Sequence, residues 1–479
     1  MTELDRSDIQ GIVTRAYKTL PSARFLLMRI NEAEPARAWL ERIAGSVTAA
    51  DGEPLGRALN VAFTSGGLTA LGLDRKTRET FAFEFSEGMT AEHRRLTLGD
   101  HGESDPDRWV WGGPNTDPVH VLLMIYAADD AALEAFQRSL LDAAAHGALS
   151  EVGQLDTHVL FDRESGCVKE HFGFCDGASQ PVIDGLKERG RPEYRVKAGE
   201  FLLGYWNEYG RRTAGPVVDP TAAARELLPE APDDPGMRDL GRNGTYLVFR
   251  HLYQNVKLFW QSVDAATLQD GVSDAEARVG LAAKMVGRWP SGAPLVKAPD
   301  RDRPELGQDN DFGYHAEDPD GLRCPVGAHI RRSNPRDSLS PAPGTDKSVE
   351  VNRRHQLLRR GRTFGRPLAS SLSPDDFLAS DGSGDRGLYF ICLGANISRQ
   401  FEFVQQTWIN NPKFGGLYED TDPLIGNRQP KGAPTGGTFT VPEDPVRKRI
   451  TGLPSFTQVR GGAYFFLPGI RALRYLASL

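Results

Sequence analysis

An acid, a histidine and several arginines stand in segments whose residue types suit proton transfer and the binding of a flat cofactor. In His171-Phe-Gly-Phe-Cys-Asp-Gly-Ala-Ser-Gln-Pro181, Asp176 lies between aromatic residues and glycines. Asp-Gly is ordinarily a turn. An acid flanked by Phe172 and Phe174 can instead sit against an apolar cavity, where desolvation raises its proton affinity toward a value useful for shuttling protons. In Cys324-Pro-Val-Gly-Ala-His-Ile-Arg-Arg-Ser-Asn-Pro-Arg-Asp337, His329 follows small residues and precedes two arginines. Small neighbours let a macrocycle approach the backbone, guanidinium groups pair with propionates, and haem iron is commonly held by a histidine. Two further segments, Arg353–Gly365 and Arg386–Phe403, say little alone; the second reads as a buried strand turning into a helix.

These residues need a frame. Four segments share one pattern, a strand-like apolar run followed by a helix-like stretch with apolar residues three and four apart. They are Ala23–Ile30 with Pro35–Ile43, Val119–Tyr126 with Ala131–Ala145, Thr245–Leu252 with Asn255–Val263, and Gly387–Gly394 with Ser398–Ile409. Further strands are expected at Leu59–Thr64 and Thr157–Phe161. A doubly wound nucleotide fold would place a glycine-rich turn after its first strand, and Asn31-Glu-Ala-Glu34 stands there instead. The pattern therefore favours an α+β fold of two ferredoxin-like modules, antiparallel sheets with peripheral helices, divided as 1–240 and 241–479. The Pro/Gly/Asp-rich stretches Asp100–Pro118, Arg211–Asn243, Gly287–Asp320, Asn334–Lys347 and Gly426–Asp444 read as long loops, placed to wall a buried cofactor.

The chain has 479 residues, 39% hydrophobic and 25% charged, an ordinary globular composition. Two halves suit that length, since single cores stop growing at roughly 250–300 residues. A net charge of -7 with no basic stripe argues against nucleic acid as a partner. The four cysteines show no CxxC spacing, so neither a zinc site nor a disulfide framework is expected, and a reducing compartment fits. An acidic N-terminus without a following apolar core and the lack of any run of about 18 apolar residues lead to a cytoplasmic, non-membrane expectation.

Taken in order, HFGFCDGASQP, GEFLLGYWNEYG (Gly199–Gly210), CPVGAHIRRSNPRD, LLRRGRTFG and RGLYFICLGANISRQFEF resemble the dye-decolourising peroxidases, in their larger bacterial and fungal-like branch. The likeness runs from about Leu155 to the C-terminus, while the first 150 or so residues match in pattern only. It implies two ferredoxin-like modules enclosing haem b (iron protoporphyrin IX), as a dimeric α+β barrel. It also implies a peroxidase that reduces hydrogen peroxide and, by way of a ferryl intermediate, oxidises small-molecule donors such as dyes and phenols. His329 matches the iron ligand, Asp176 the acid of the GxxDG motif and Arg359 the distal arginine. Leu388 and Phe390 match apolar distal residues, Arg331 a propionate contact, and Glu402 is a guess at the acceptor for the second ring N–H of His329. Bulky donors would pass electrons through surface residues among seven tryptophans and twelve tyrosines. No segment past GGAYFFLPGIRALRYLASL would serve as a packaging peptide for a protein shell, so a free enzyme is expected, with assembly into a homo-oligomer left open. The alternatives are a haem-handling protein, or a haem oxygenase or biosynthetic oxidase on the same scaffold.

Overall fold

The computed structural model describes residues 4–54, 56–142, 147–163, 165–186, 195–428 and 436–479. The first half contributes β1 (Ser22–Ile30), α1 (Ala33–Ala44), β2 (Arg57–Phe63), β3 (Val121–Ala127), α2 (Asp130–Asp142) and β4 (Leu149–Asp156). The second contributes β5 (Thr245–Gln254), α3 (Val256–Thr267), β6 (Leu358–Arg359), β7 (Arg362–Phe364), β8 (Gly387–Gly394), β9 (Thr457–Leu467) and α4 (Ile470–Ala477).

The two halves order their strands alike. One runs β2-β3-β1-β4 and the other β6-β8-β5-β9, with β7 also on β8. Their pairings are antiparallel, so each half is ferredoxin-like. A single pairing, Phe63 with Phe466, joins β2 to β9. At the far edges, His158 N donates to Thr363 O at 2.8 Å and the Thr363 hydroxyl donates back to His158 O, so the nine strands wrap into a barrel.

Because side chains alternate across a strand, each strand serves two cores. Phe25, Leu27, Leu122, Met124, Leu247, Phe249, Tyr389, Ile391 and Phe465 fill the barrel interior. Their neighbours point outward. In the first half, Trp39, Leu40 and Ile43 of α1 and Phe136 and Leu140 of α2 seal that outer face against Leu26, Met28, Leu123 and Ile125. In the second half α3 packs elsewhere, with Phe172, Phe174, Phe312 and Phe377. The outer face of β5 and β8 is thus left partly open, and a cavity lies there.

Two local expectations change. The fourth strand is Leu149–Asp156 rather than Thr157–Phe161; it is an edge strand of mixed polarity, LSEVGQLD, with no clean alternation to read. The stretch Ser398–Ile409 is helical but π-wound, with bonds from Glu402 N to Ile397 O at 3.0 Å and from Asn410 N to Gln405 O at 2.9 Å. Such widened turns are rare and often border functional sites. No helix among the described residues is long and apolar enough to cross a membrane.

Candidate active site

The cavity on the outer face of β5 and β8 has a volume of about 560 Å³. Leu252 of β5, Phe390 of β8 and Phe401, Val404 and Ile409 of the π-wound segment give it apolar walls, while His329, Arg288, Arg336, Arg359 and Arg428 bring nitrogen to it.

His329 opens a short helix, His329–Ser333. Its Nδ1 lies 2.8 Å from Asp422 Oδ2, which leaves Nε2, across the ring, for the cavity. Asp422 is fully buried, and its other oxygen accepts from the N–H groups of Leu424 and Ile425 at 2.9 Å each. Burial opposes protonation of His329, but the charge and hydrogen bond of Asp422 outweigh it, so the imidazole lies above its ordinary value. Burial likewise works against charge on Asp422, yet His329, the Ile425 N–H and Arg332 hold it below the ordinary aspartate value. A histidine anchored in this way to a charged acceptor is oriented and made more basic toward a metal.

Arg359 ends β6. Its N–H donates to Gln180 Oε1 at 3.0 Å, one guanidinium nitrogen donates to Ser179 O at 2.9 Å, and another lies 3.6 Å from Asp176 Oδ1. Asp176 is not among the residues lining the cavity with His329; it is 43% exposed beside Arg359, and its charge reaches His329. The apolar cavity expected beside Asp176 is not built by Phe172 and Phe174. Phe172 packs against Phe259 and Phe174 stacks on Trp260, so both rings face the α3 core and anchor the loop. A second cavity, about 350 Å³, adjoins the first and shares Ser179, Asn334, Arg336 and Gln356 with it.

Four expectations are corrected. Arg331 is buried away from the cavity, its two terminal guanidinium nitrogens taken by Asp318 Oδ2 and the carbonyls of Cys324, Asp318 and Pro319 rather than turned toward a propionate. Arg288 lines the cavity instead. Neutral acceptors, Gly292 O, Asp309 O and Asn310 Oδ1, hold it at the cavity, and burial, with repulsion from Arg336, pushes it down to about 10. Leu388 shares the outward face of β8 with Phe390, but Leu252, its partner on β5, takes the place in the wall. Glu402 is bound by Arg94 at 2.7 Å and by the Tyr464 hydroxyl at 2.7 Å, and Asp422 meets His329.

The fourth correction concerns the cysteines. Cys167 and Cys175 form a disulfide, with Cα atoms 5.8 Å apart. It ties the hairpin of Leu160–Asp162 and Cys167–Lys169 to the residue just before Asp176. Cys167→Ser is expected to cost about 2–4 kcal/mol of stability, read as an earlier denaturant midpoint that reduction of the parent reproduces; an unchanged midpoint would contradict the bond.

The model of the DyP dimeric alpha+beta barrel domain matches residues 23–159. A dye-decolorizing peroxidase of Exidia glandulosa is 32% identical over 494 residues, covering 99% of this chain and 87% of its own length. The chain belongs to the dye-decolourising peroxidase family. A multifunctional dye peroxidase of Amycolatopsis sp. is 31% identical, over 92% of this chain and 86% of its own. Among solved structures, a fungal DyP-type peroxidase from Auricularia auricula-judae superposes with a TM-score of 0.77 at 27% identity and full coverage of both chains. A dye-decolorizing peroxidase in complex with 2,6-dimethoxyphenol gives 0.76 at 28% identity, over 99% of this chain and 100% of that one. As a member of this family of haem-dependent peroxidases, the protein is an enzyme that reduces hydrogen peroxide and oxidises bulky organic donors.

Within a dye-decolourising peroxidase, Asp422 is the functional residue that the sequence reading missed. It lies 93 positions from His329. Asp422→Asn keeps the shape but removes the charge, and is expected to lower haem affinity or turnover about 10–100-fold. It should also raise the haem reduction potential. A potential equal to the parent's, by spectroelectrochemistry, would contradict the role.

Proposed function

We propose that the protein binds haem b in the larger cavity through His329 and uses Asp176 and Arg359 to activate hydrogen peroxide. The observation that carries this reading is the single cavity lined by both His329, anchored on Asp422, and Arg359, paired with Asp176. The residues present suit the group: a basic imidazole nitrogen for iron, apolar walls for the macrocycle, and arginine for propionates. His329 Nε2 would ligate the iron, Phe390 and Leu252 would pack on the ring, and Arg288 would meet a propionate.

When bound, the haem would supply the redox chemistry that couples peroxide reduction to donor oxidation. The chain supplies the proton traffic. Asp176 takes the proton from the near oxygen of hydrogen peroxide and delivers it to the far one, so that water leaves. Arg359, fixed by Ser179 O, holds its positive charge where negative charge develops as the O–O bond breaks, with no reorganisation needed at that moment. The polar second cavity, with Asn310, Asn334 and Arg353 in its wall, suits entry of a small polar oxidant. Bulky donors would be oxidised at the surface, where Trp206, Tyr209 and Tyr418 are exposed among the described residues.

Titration of the purified protein with haem tests the reading: one equivalent should bind and give peroxide-dependent oxidation of 2,6-dimethoxyphenol. Haem uptake without any such oxidation would point instead to a haem-handling protein.

A further inference from the structure

Glu170 stands at the head of the turn that ends in Asp176, and the reaction above gives it no part. Its carboxyl group sits inside that turn. Oε2 accepts the N–H of Phe172 at 2.9 Å and Oε1 that of Phe174 at 3.0 Å, while the Gln254 side-chain nitrogen reaches Oε2 at 2.6 Å from the end of β5. The backbone closes the same loop, with Glu170 N to Phe174 O and Gly173 N to Glu170 O, both at 2.9 Å. Gly173 makes this closure possible with a φ of 100°, which side-chain-bearing residues rarely adopt. Beyond the turn, Cys175 N bonds Pro290 O at 3.2 Å and Asp176 N bonds Val168 O at 2.9 Å. The carboxyl of Glu170 is therefore the hub of the segment that delivers Asp176 to Arg359.

We propose that Glu170 is a positioning residue for Asp176: its carboxyl group, protonated within the turn, keeps residues 170–174 closed, and its ionisation loosens the turn and the placement of Asp176. This rests on the reading of Asp176 as the proton carrier.

The surroundings fit a carboxyl that keeps its proton. Burial pushes Glu170 up to about 7, against the hydrogen bonds from Phe172, Gln254 and Phe174, and the charge of Asp176 adds to the rise. Of its other neighbours, Lys169 is paired with Asp162 at 2.9 Å. His171, pushed down to about 4 by burial, is uncharged near neutrality. β5 presents only the amide of Gln254, which donates to a carboxylate and, turned over, accepts from a carboxylic acid. Its Oε1 is buried without a hydrogen-bond partner among the described residues. The sign follows from linkage. Closing the turn raises the proton affinity of Glu170, so that contribution to closure is complete below the ordinary value of 4.5 and is lost as pH rises through about 7.

The test uses the haem-loaded enzyme, with amide hydrogen exchange at Phe172 and Phe174 and the rate of the Soret change on mixing with peroxide, both followed against pH. In the parent, exchange at both amides, corrected for its intrinsic pH dependence, should rise about tenfold or more through neutrality, and the peroxide rate should fall over the same range. Glu170→Gln, which cannot ionise, should remove both steps. Glu170→Ala should expose the two amides at every pH and slow the peroxide reaction about tenfold to hundredfold. Should the variants fail to fold, pH-independent protection in the parent would by itself overturn the proposal. Glu170→Gln with the parent's pH dependence would do the same. Asp176→Asn serves as the control: slow at every pH with the exchange step intact, it supports both readings, whereas a parental peroxide rate removes the assignment of Asp176 whatever the exchange shows.

Discussion

Replacing His329 with Ala is expected to strip the protein of haem. Changing a group that only orients a metal ligand typically costs 10–100-fold in affinity or activity, so removal of the ligand should cost about a hundredfold or more. Neither the hydrogen-bond partner of His329 nor the arginines around it can take its place. Asp422 is committed to the amides of Leu424 and Ile425 by its other oxygen, and the arginines that line the cavity cannot ligate iron. Apolar walls will still retain some macrocycle, so the decisive signal is the spectrum: whatever haem remains should lack the parental ferric bands, and imidazole added to the His329→Ala protein should restore them in part. Full haem content with an unchanged ferric spectrum would refute the assignment.

How much of this was legible in the sequence depended on distance along the chain. His329 and Arg359 were readable because each lies in a contiguous segment of recognisable type and order. The partner of His329 was not, since Asp422 is brought to it from 93 residues away by tertiary packing. Arg331 and Arg332 look alike as letters, yet a five-residue helix fixes which way each points. Both turn inward to protein acceptors: Arg331 to Asp318, and Arg332 to Trp408 O at 2.6 Å. The disulfide escaped notice because it joins cysteines eight residues apart, one on a three-residue strand of a short hairpin and the other in the segment that follows it. Strands buried on both faces, such as β3 and β5, announced themselves through continuous apolar runs. β4, half-exposed at an edge, did not.

Losses of Asp176 and Arg359 are expected to differ in kind. Asp176→Asn keeps size and hydrogen bonding but removes the group that moves the proton, so peroxide activation should slow about 10²–10⁴-fold. Arg359→Leu removes charge stabilisation, expected to cost about 10²–10³-fold, and leaves the proton carrier in place. The guanidinium cannot stand in for the base, because it does not deprotonate in proteins. An ion pair, 3.6 Å apart, should also couple: the double variant should lose less than the product of the two single losses.

The most direct test of the whole account is stopped-flow mixing of the haem-loaded protein with one equivalent of hydrogen peroxide, following the Soret band against pH for the parent, Asp176→Asn and Arg359→Leu. A rapid, dye-reversible change is expected in the parent, with the change slowed about 10²–10⁴-fold in Asp176→Asn and about 10²–10³-fold in Arg359→Leu. A parent that only bleaches, or an Asp176→Asn protein that reacts at the parental rate at every pH, would contradict it.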